Sequence, residues 1–198
     1  MKNQFNSIGI MTLLFSVLLF TACKKENVTP RSACDSSNTL FKQLYTNVTS
    51  TQGATDDVFM DLVTHEYSFN VTAAATICQV GYQSLPTFNT TPYLIEIFNN
   101  STNQLVYTGS HLFSSTATEY VAITPTALTA GESYTIRRIQ TQWNGNIGNT
   151  IGRLAFVQGA LLNFPFTEGN LNITGSSMYG TGGPAVNFGL PYIDLVFE

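Results

Sequence analysis

YLIEIFNNSTNQLVYTG, residues 93–109, reads as two strands and the turn between them. Tyr93, Ile95 and Ile97 alternate with Leu94, Glu96 and Phe98, so one face of an extended chain is apolar. Asn99-Asn100-Ser101-Thr102-Asn103 is a run of turn formers, since their short polar side chains bond their own backbone. Gln104–Thr108 then returns as the partner, giving a hairpin with a longer loop. The same period of two extends outward in both directions. Upstream lie Val58, Met60 and Leu62, then His65, Tyr67, Phe69 and Val71, then Thr76–Tyr82 after the small turn Ala73-Ala74-Ala75. Downstream lie Glu119–Thr124 ahead of Pro125, Ser133–Thr141 after Ala130-Gly131-Glu132, Leu154–Gln158 and Tyr192–Glu198. Short strands at short intervals with turn signals between them predict an all-β fold, an antiparallel β-sandwich.

Composition agrees. Of 198 residues only 10% are charged and 12% are aromatic, with 14 Phe, 9 Tyr and a single Trp. Thr and Tyr suit outer strand faces, and Phe, Ile, Val and Leu fill inner ones. A helical bundle lacks the Lys, Glu and Arg needed to coat it. A net charge of −4 excludes a nucleic-acid partner, which needs a cationic surface. Two segments stand apart. Residues 40–48, LFKQLYTNV, fit a helical stripe through Phe41, Tyr45 and Val48, yet their Thr and Val also permit a strand. Residues 163–191 are rich in Gly, Asn and Pro, and are expected to hold one or two irregular strands around Asn170–Thr174.

The first residues are an address. Lys2 precedes an apolar run from Ile8 to Phe20, then Thr21-Ala22-Cys23. The run is shorter than the roughly 18 apolar residues a membrane span needs, and small residues follow it, as in a cleaved signal peptide. Phe20-Thr21-Ala22-Cys23 resembles a bacterial lipobox, with Phe20 where Leu is usual. The resemblance implies cleavage ahead of Cys23 and lipidation of that cysteine. Lys24-Lys25-Glu26 is similar to the start of Bacteroidota surface lipoproteins. The expected organisation is a signal peptide at 1–22, a lipidated Cys23 with a flexible tether at 23–36, and one β-sandwich domain at 37–198. The expected location is the cell envelope, with the chain anchored to the outer membrane through its lipid and suited to surface exposure. Cys34 and Cys78 remain. Outside the reducing cytosol they can pair, and two free thiols, with Cys78 buried in a strand, are the alternative.

Several pieces carry a wider resemblance. TICQVGYQS (Thr76–Ser84), the hairpin at 93–109, TALTAGESYTIRR (Thr126–Arg138) and the closing YIDLVFE resemble an uncharacterised bacterial β-sandwich family, a domain of unknown function in secreted and surface proteins. The resemblance implies a jelly-roll-like fold akin to carbohydrate-binding modules, and brings no catalytic or ligand residues with it.

Motifs for chemistry are sparse. His65 and His111 lack metal-ligand spacing. Asp56, Asp57, Asp61 and Glu66 form the densest acidic group, without a calcium loop. There is no nucleophile elbow and no phosphate-cradling loop. No metal, cofactor or enzymatic activity is therefore expected. The polar-aromatic cluster is Arg137-Arg138-Ile139-Gln140-Thr141-Gln142-Trp143-Asn144. An aromatic face beside amide and guanidinium donors suits a sugar, so Trp143, Arg137, Arg138 and Asn144 are the candidate ligand residues. The competing reading has Trp143 capping the core and an arginine pairing with an acid on the next strand. The expected function is a non-catalytic binding or adhesion module with a glycan as candidate ligand. Its alternative is a structural subunit docking on another envelope protein, and a small hydrolase ranks last.

Overall fold

The computed structural model describes residues 34–198 apart from 61, 85, 143–150 and 181. Helix α1 spans Leu40–Thr51. The strands that follow are β1 (Thr55–Met60), β2 (Thr64–Val71), β3 (Ala75–Tyr82), β4 (Tyr93–Asn99), β5 (Gln104–His111), β6 (Glu119–Leu128) and β7 (Ser133–Gln140). Then come β8 (Ile151–Phe156), β9 (Phe166–Glu168), β10 (Leu171–Tyr179), β11 (Ala185–Val186), β12 (Gly189–Pro191) and β13 (Asp194–Phe197).

The helical alternative wins at residues 40–48. Phe41, Leu44, Tyr45 and Val48 are buried together, a stripe with the spacing of one helix face. Thr39 caps the N-terminus, its hydroxyl accepting from the Lys42 amide at 3.0 Å.

The strands form an antiparallel sandwich. One layer is a large sheet in the order β11-β10-β2-β7-β4-β5, with β9 paired to β10. The other layer holds two three-stranded sheets, β1-β8-β12 and β13-β3-β6. Tyr192 and Ile193 carry the chain from β12 straight into β13, linking these two sheets. Tyr67, Phe69, Tyr93, Ile95, Ile97 and Ile136 of the large sheet share one core with Ile77, Val80, Ile193 and Leu195 opposite. Each such fully buried side chain contributes about 1.5–3 kcal/mol of transfer free energy. Two hydrogen bonds tie the layers: Tyr67 Oη donates to the Ile193 carbonyl at 2.7 Å, and Ser176 Oγ to the Gly189 carbonyl at 2.6 Å.

The hairpin at 93–109 is present. Its turn is held by Asn99 Oδ1, which accepts from the Ser101 and Thr102 amides at 2.9 and 3.1 Å. A bulge at Val106 sets Tyr107 against Ile97 and Leu105 against Phe98. Strand β6 runs on through Pro125 to Leu128, further than Thr124, because it is an outer strand and proline's missing donor costs nothing there. The segment 163–191 is more regular than its composition suggests. β10 is nine residues long, and a bulge between Ile173 and Gly175 moves its inward set from Leu171 and Ile173 to Ser176 and Met178. That shift breaks the alternation on which a strand is recognised.

Cys34 and Cys78 are joined by a disulfide, with Cα atoms 5.9 Å apart. The chain is thus fastened to β3 from position 34, inside the range expected as tether. Among the described residues no helix is long and apolar enough to cross a membrane. The signal segment and Cys23 lie outside the described residues.

Candidate functional site

A surface groove of about 610 Å³ lies between α1 and the β1-β8-β12 sheet. Its floor is an ion pair. Arg153 on β8 reaches Asp56 on β1 with both faces of its fork, Nε at 2.9 Å from Oδ1 and Nη2 at 2.6 Å from Oδ2. Two parallel charge-assisted bonds fix the guanidinium plane. The Arg153 carbon sits 4.1 Å from the centre of the Tyr192 ring and 5.6 Å from that of Tyr45. These rings meet edge to face at 4.8 Å. Tyr45 Oη donates to Asp56 Oδ1 at 3.0 Å. Burial, with the Asp56 charge next, pushes the Tyr45 hydroxyl far above its usual range, so it stays a donor. The Asp56 bonds hold Arg153 more firmly protonated than a free arginine.

The rim is polar. Lys42, Thr46 and Thr49 recur every three or four residues and so line one side of α1, and Asn38 adds to the rim from just ahead of the Thr39 cap. Asn47 Nδ2 donates to Glu168 at 2.9 Å across the groove from β9. The lining contains two cations, Lys42 and Arg153, and two anions, Asp56 and Glu168, so its formal charge balances. This is a concentration. Only four of the chain's eight basic residues fall among the described positions, and two of them are here.

Beneath α1 lies a buried carboxylate. Asp194 is 0% exposed and accepts from the Thr39 hydroxyl at 2.8 Å and from Tyr120 Oη at 2.6 Å. Burial raises its pKa to about 6, against the opposing effect of its donors. Gly81 makes the Tyr120 contact feasible. It pairs with Asp194 on one side and Tyr120 on the other, and a Cβ there would run into the Tyr120 ring. Lys42 Nζ lies 4.7 Å from the centre of that ring, connecting this network to the groove rim.

The expected ligand residues do not gather into one site. Arg137 and Arg138 are neighbours on β7, so they point to opposite faces of the sheet. Arg137 is outside, half-buried, 3.5 Å from Glu66 and 3.8 Å from Glu96 on the flanking strands. Arg138 is inside and 0% exposed, its guanidinium 5.4 and 5.3 Å from the Tyr82 and Tyr93 ring centres. Arg138 is therefore enclosed by the core and cannot meet a ligand at the surface. The sequence held the signal: Tyr134, Ile136 and Arg138 continue one inward period of two. Trp143 and Asn144 lie outside the described residues. His65 is buried on β2 and accepts from the Leu62 amide at 3.2 Å, while His111 on β5 bonds Tyr107 at 2.6 Å. Of the acidic group, Asp56 serves Arg153 and Glu66 serves Arg137, on different sheets. Asp61 lies outside the described residues.

Fold and groove together define a β-sandwich protein with a polar, charge-balanced surface cleft. No protein-family model matches the chain, and no curated protein matches it significantly.

Proposed function

We propose that this chain is a lipid-anchored protein of the cell envelope, held at the outer membrane through Cys23, whose sandwich is a non-catalytic module binding a neutral, hydroxyl-rich ligand of the glycan class in the α1–β8 groove. One observation carries the reading: the balanced set of Lys42, Arg153, Asp56 and Glu168, interleaved with the amides of Asn38 and Asn47. A strongly charged ligand would leave one sign unpaired in such a cleft. Sugar hydroxyls both donate and accept, and so match carboxylate, amide and guanidinium together. Asp56 is already engaged by Arg153 and Tyr45. Two carboxyls have pKa values raised by burial, and neither opens into the groove: Asp194 faces Thr39 and Tyr120 and is enclosed, and Glu66 lies on the large sheet beside Arg137 and Tyr179. This division supports binding over acid-base chemistry.

The test is a glycan-array screen with the full chain, alongside Arg153→Ala and Trp143→Ala. Binding that is lost with Arg153→Ala and kept with Trp143→Ala supports the groove. Loss with Trp143→Ala alone moves the site to the 143–144 region, and no binding to any glycan overturns the proposal. For the anchor, inhibition of the lipoprotein signal peptidase is expected to leave the precursor uncut, and normal maturation under that treatment removes it.

A further inference from the structure

Strand β5 is the outermost strand of the large sheet, and no described strand pairs with its free side. Exposed edges invite pairing, and proteins normally blunt them with charge, proline or shortness. The other outer strands follow that practice: β9, β11 and β12 have two or three residues, β13 has four and carries Asp194, β1 carries Asp56 and Asp57, and β6 carries Glu119 and Pro125. β5, Gln104–His111, has neither a charge nor a proline. It also collects apolar surface. Among the described residues five large apolar side chains are exposed, and Leu105, Val106 and Leu112 belong to this edge, at 48%, 36% and 51%.

The order of residues along the edge is self-complementary about Gly109. Thr108 and Ser110 are equidistant from it, both hydroxyls; Tyr107 and His111 follow, then Val106 and Leu112, both apolar. Tyr107 Oη and His111 Nε2 already meet over Gly109, at 2.6 Å. A Cβ at 109 would push both side-chain ends aside, so glycine leaves room for their contact. We propose that β5 is the interface with a second copy of this chain, paired antiparallel about a two-fold axis at Gly109. Thr108 then lies opposite the partner's Ser110, Tyr107 opposite the partner's His111, and Val106 opposite the partner's Leu112. A two-fold interface must present the same patch to itself, and this edge does so position by position. Backbone bonds between the free edges supply the affinity and the side-chain pairs fix the register. With no charge on either edge, nothing repels the second copy.

The register gives a direct test by sedimentation of the full chain in detergent. T108K/S110K places like charges opposite each other twice, and T108K/S110E places opposite charges there. The unaltered chain and T108K/S110E are expected to be dimers and T108K/S110K a monomer, all with the same far-ultraviolet circular dichroism. A monomeric unaltered chain at roughly 100 µM, or a dimeric T108K/S110K, overturns the proposal. Should the lysine variant fail to fold, V106T/L112T is expected to weaken dimerisation at least tenfold, and unchanged association of that variant is equally fatal.

Discussion

Thr39 and Asp194, 155 positions apart, hold each other inside the protein. The Thr39 hydroxyl donates to both carboxylate oxygens, at 2.8 and 3.0 Å, while accepting the Lys42 amide at 3.0 Å. One hydroxyl thereby starts α1 and docks it on β13.

Thr39→Ala removes both functions. It strips the cap and leaves a buried carboxylate short of a donor, at a combined cost of about 2–3 kcal/mol. Thr39→Ser keeps the hydroxyl and is expected to stay within about 1 kcal/mol of the original. Urea unfolding of the two variants measures the difference, and equal midpoints for both would contradict the pairing.

Asp194 makes stability depend on pH in an unusual direction. Its pKa is about 6 in the folded chain against an ordinary 3.8, because burial penalises the charge. The folded state therefore binds the proton more tightly than the unfolded state. Asp194's contribution is largest below about pH 4, falls as pH rises to about 6, and is level above it. The full difference is about 3 kcal/mol. Asp194→Asn is expected to flatten that stretch of the stability profile. A variant with the slope unchanged would assign it elsewhere.

Neighbouring arginines should behave as opposites. Arg138→Met removes cation–π contacts with Tyr82 and Tyr93 and takes the 3.1 Å Nη1 donor from the Leu62 carbonyl, and is expected to cost about 2–3 kcal/mol. Arg137→Met breaks partly exposed pairs with Glu66 and Glu96, which are worth under about 1 kcal/mol. Thermal unfolding of both variants distinguishes them, and comparable shifts would refute the inside-outside assignment.

The sheets were legible in the sequence and the groove was not, for a physical reason. Tyr93, Ile95 and Ile97 must alternate because one face is buried, and alternation is visible in any single strand. The groove is assembled from Lys42, Asp56, Arg153, Glu168 and Tyr192, which come from separate elements and share no spacing. Asp56 stood out only as part of an acidic group, and Arg153 lay just ahead of the strand expected at Leu154–Gln158 and drew no notice. The helix that forms the rim was ambiguous because Thr and Val permit either state, and its outcome rests on packing Leu44 and Tyr45 against the core.

Asp56→Asn weakens the fork on Arg153 at a third-exposed site, so the stability cost stays below about 1 kcal/mol. Its effect belongs to binding, with affinity for the glycan found in the array screen falling at least tenfold. Calorimetric titration reads this. An unchanged affinity would remove the ion pair from the site.

Reduction should expose the worth of the Cys34–Cys78 bond. The bond closes a loop spanning 44 positions, worth about 4 kcal/mol in the chain-entropy account. Cys34→Ser is expected to lower the urea midpoint by a matching amount, and reductant should then have no further effect on that variant. A midpoint unmoved by reductant in the original chain would mean the bond contributes nothing.

The same bond sets a path for force. Any pull applied through the chain ahead of Cys34 leaves the backbone at that cysteine and enters the sheet at Cys78. β3 is the middle strand of its sheet, gripped by β13 on one side and β6 on the other, so the load falls on two ladders at once. Helix α1, which follows Cys34 in sequence and frames the groove, is bypassed. A protein tugged from its N-terminal side would therefore bear tension in β3 while the groove kept its shape.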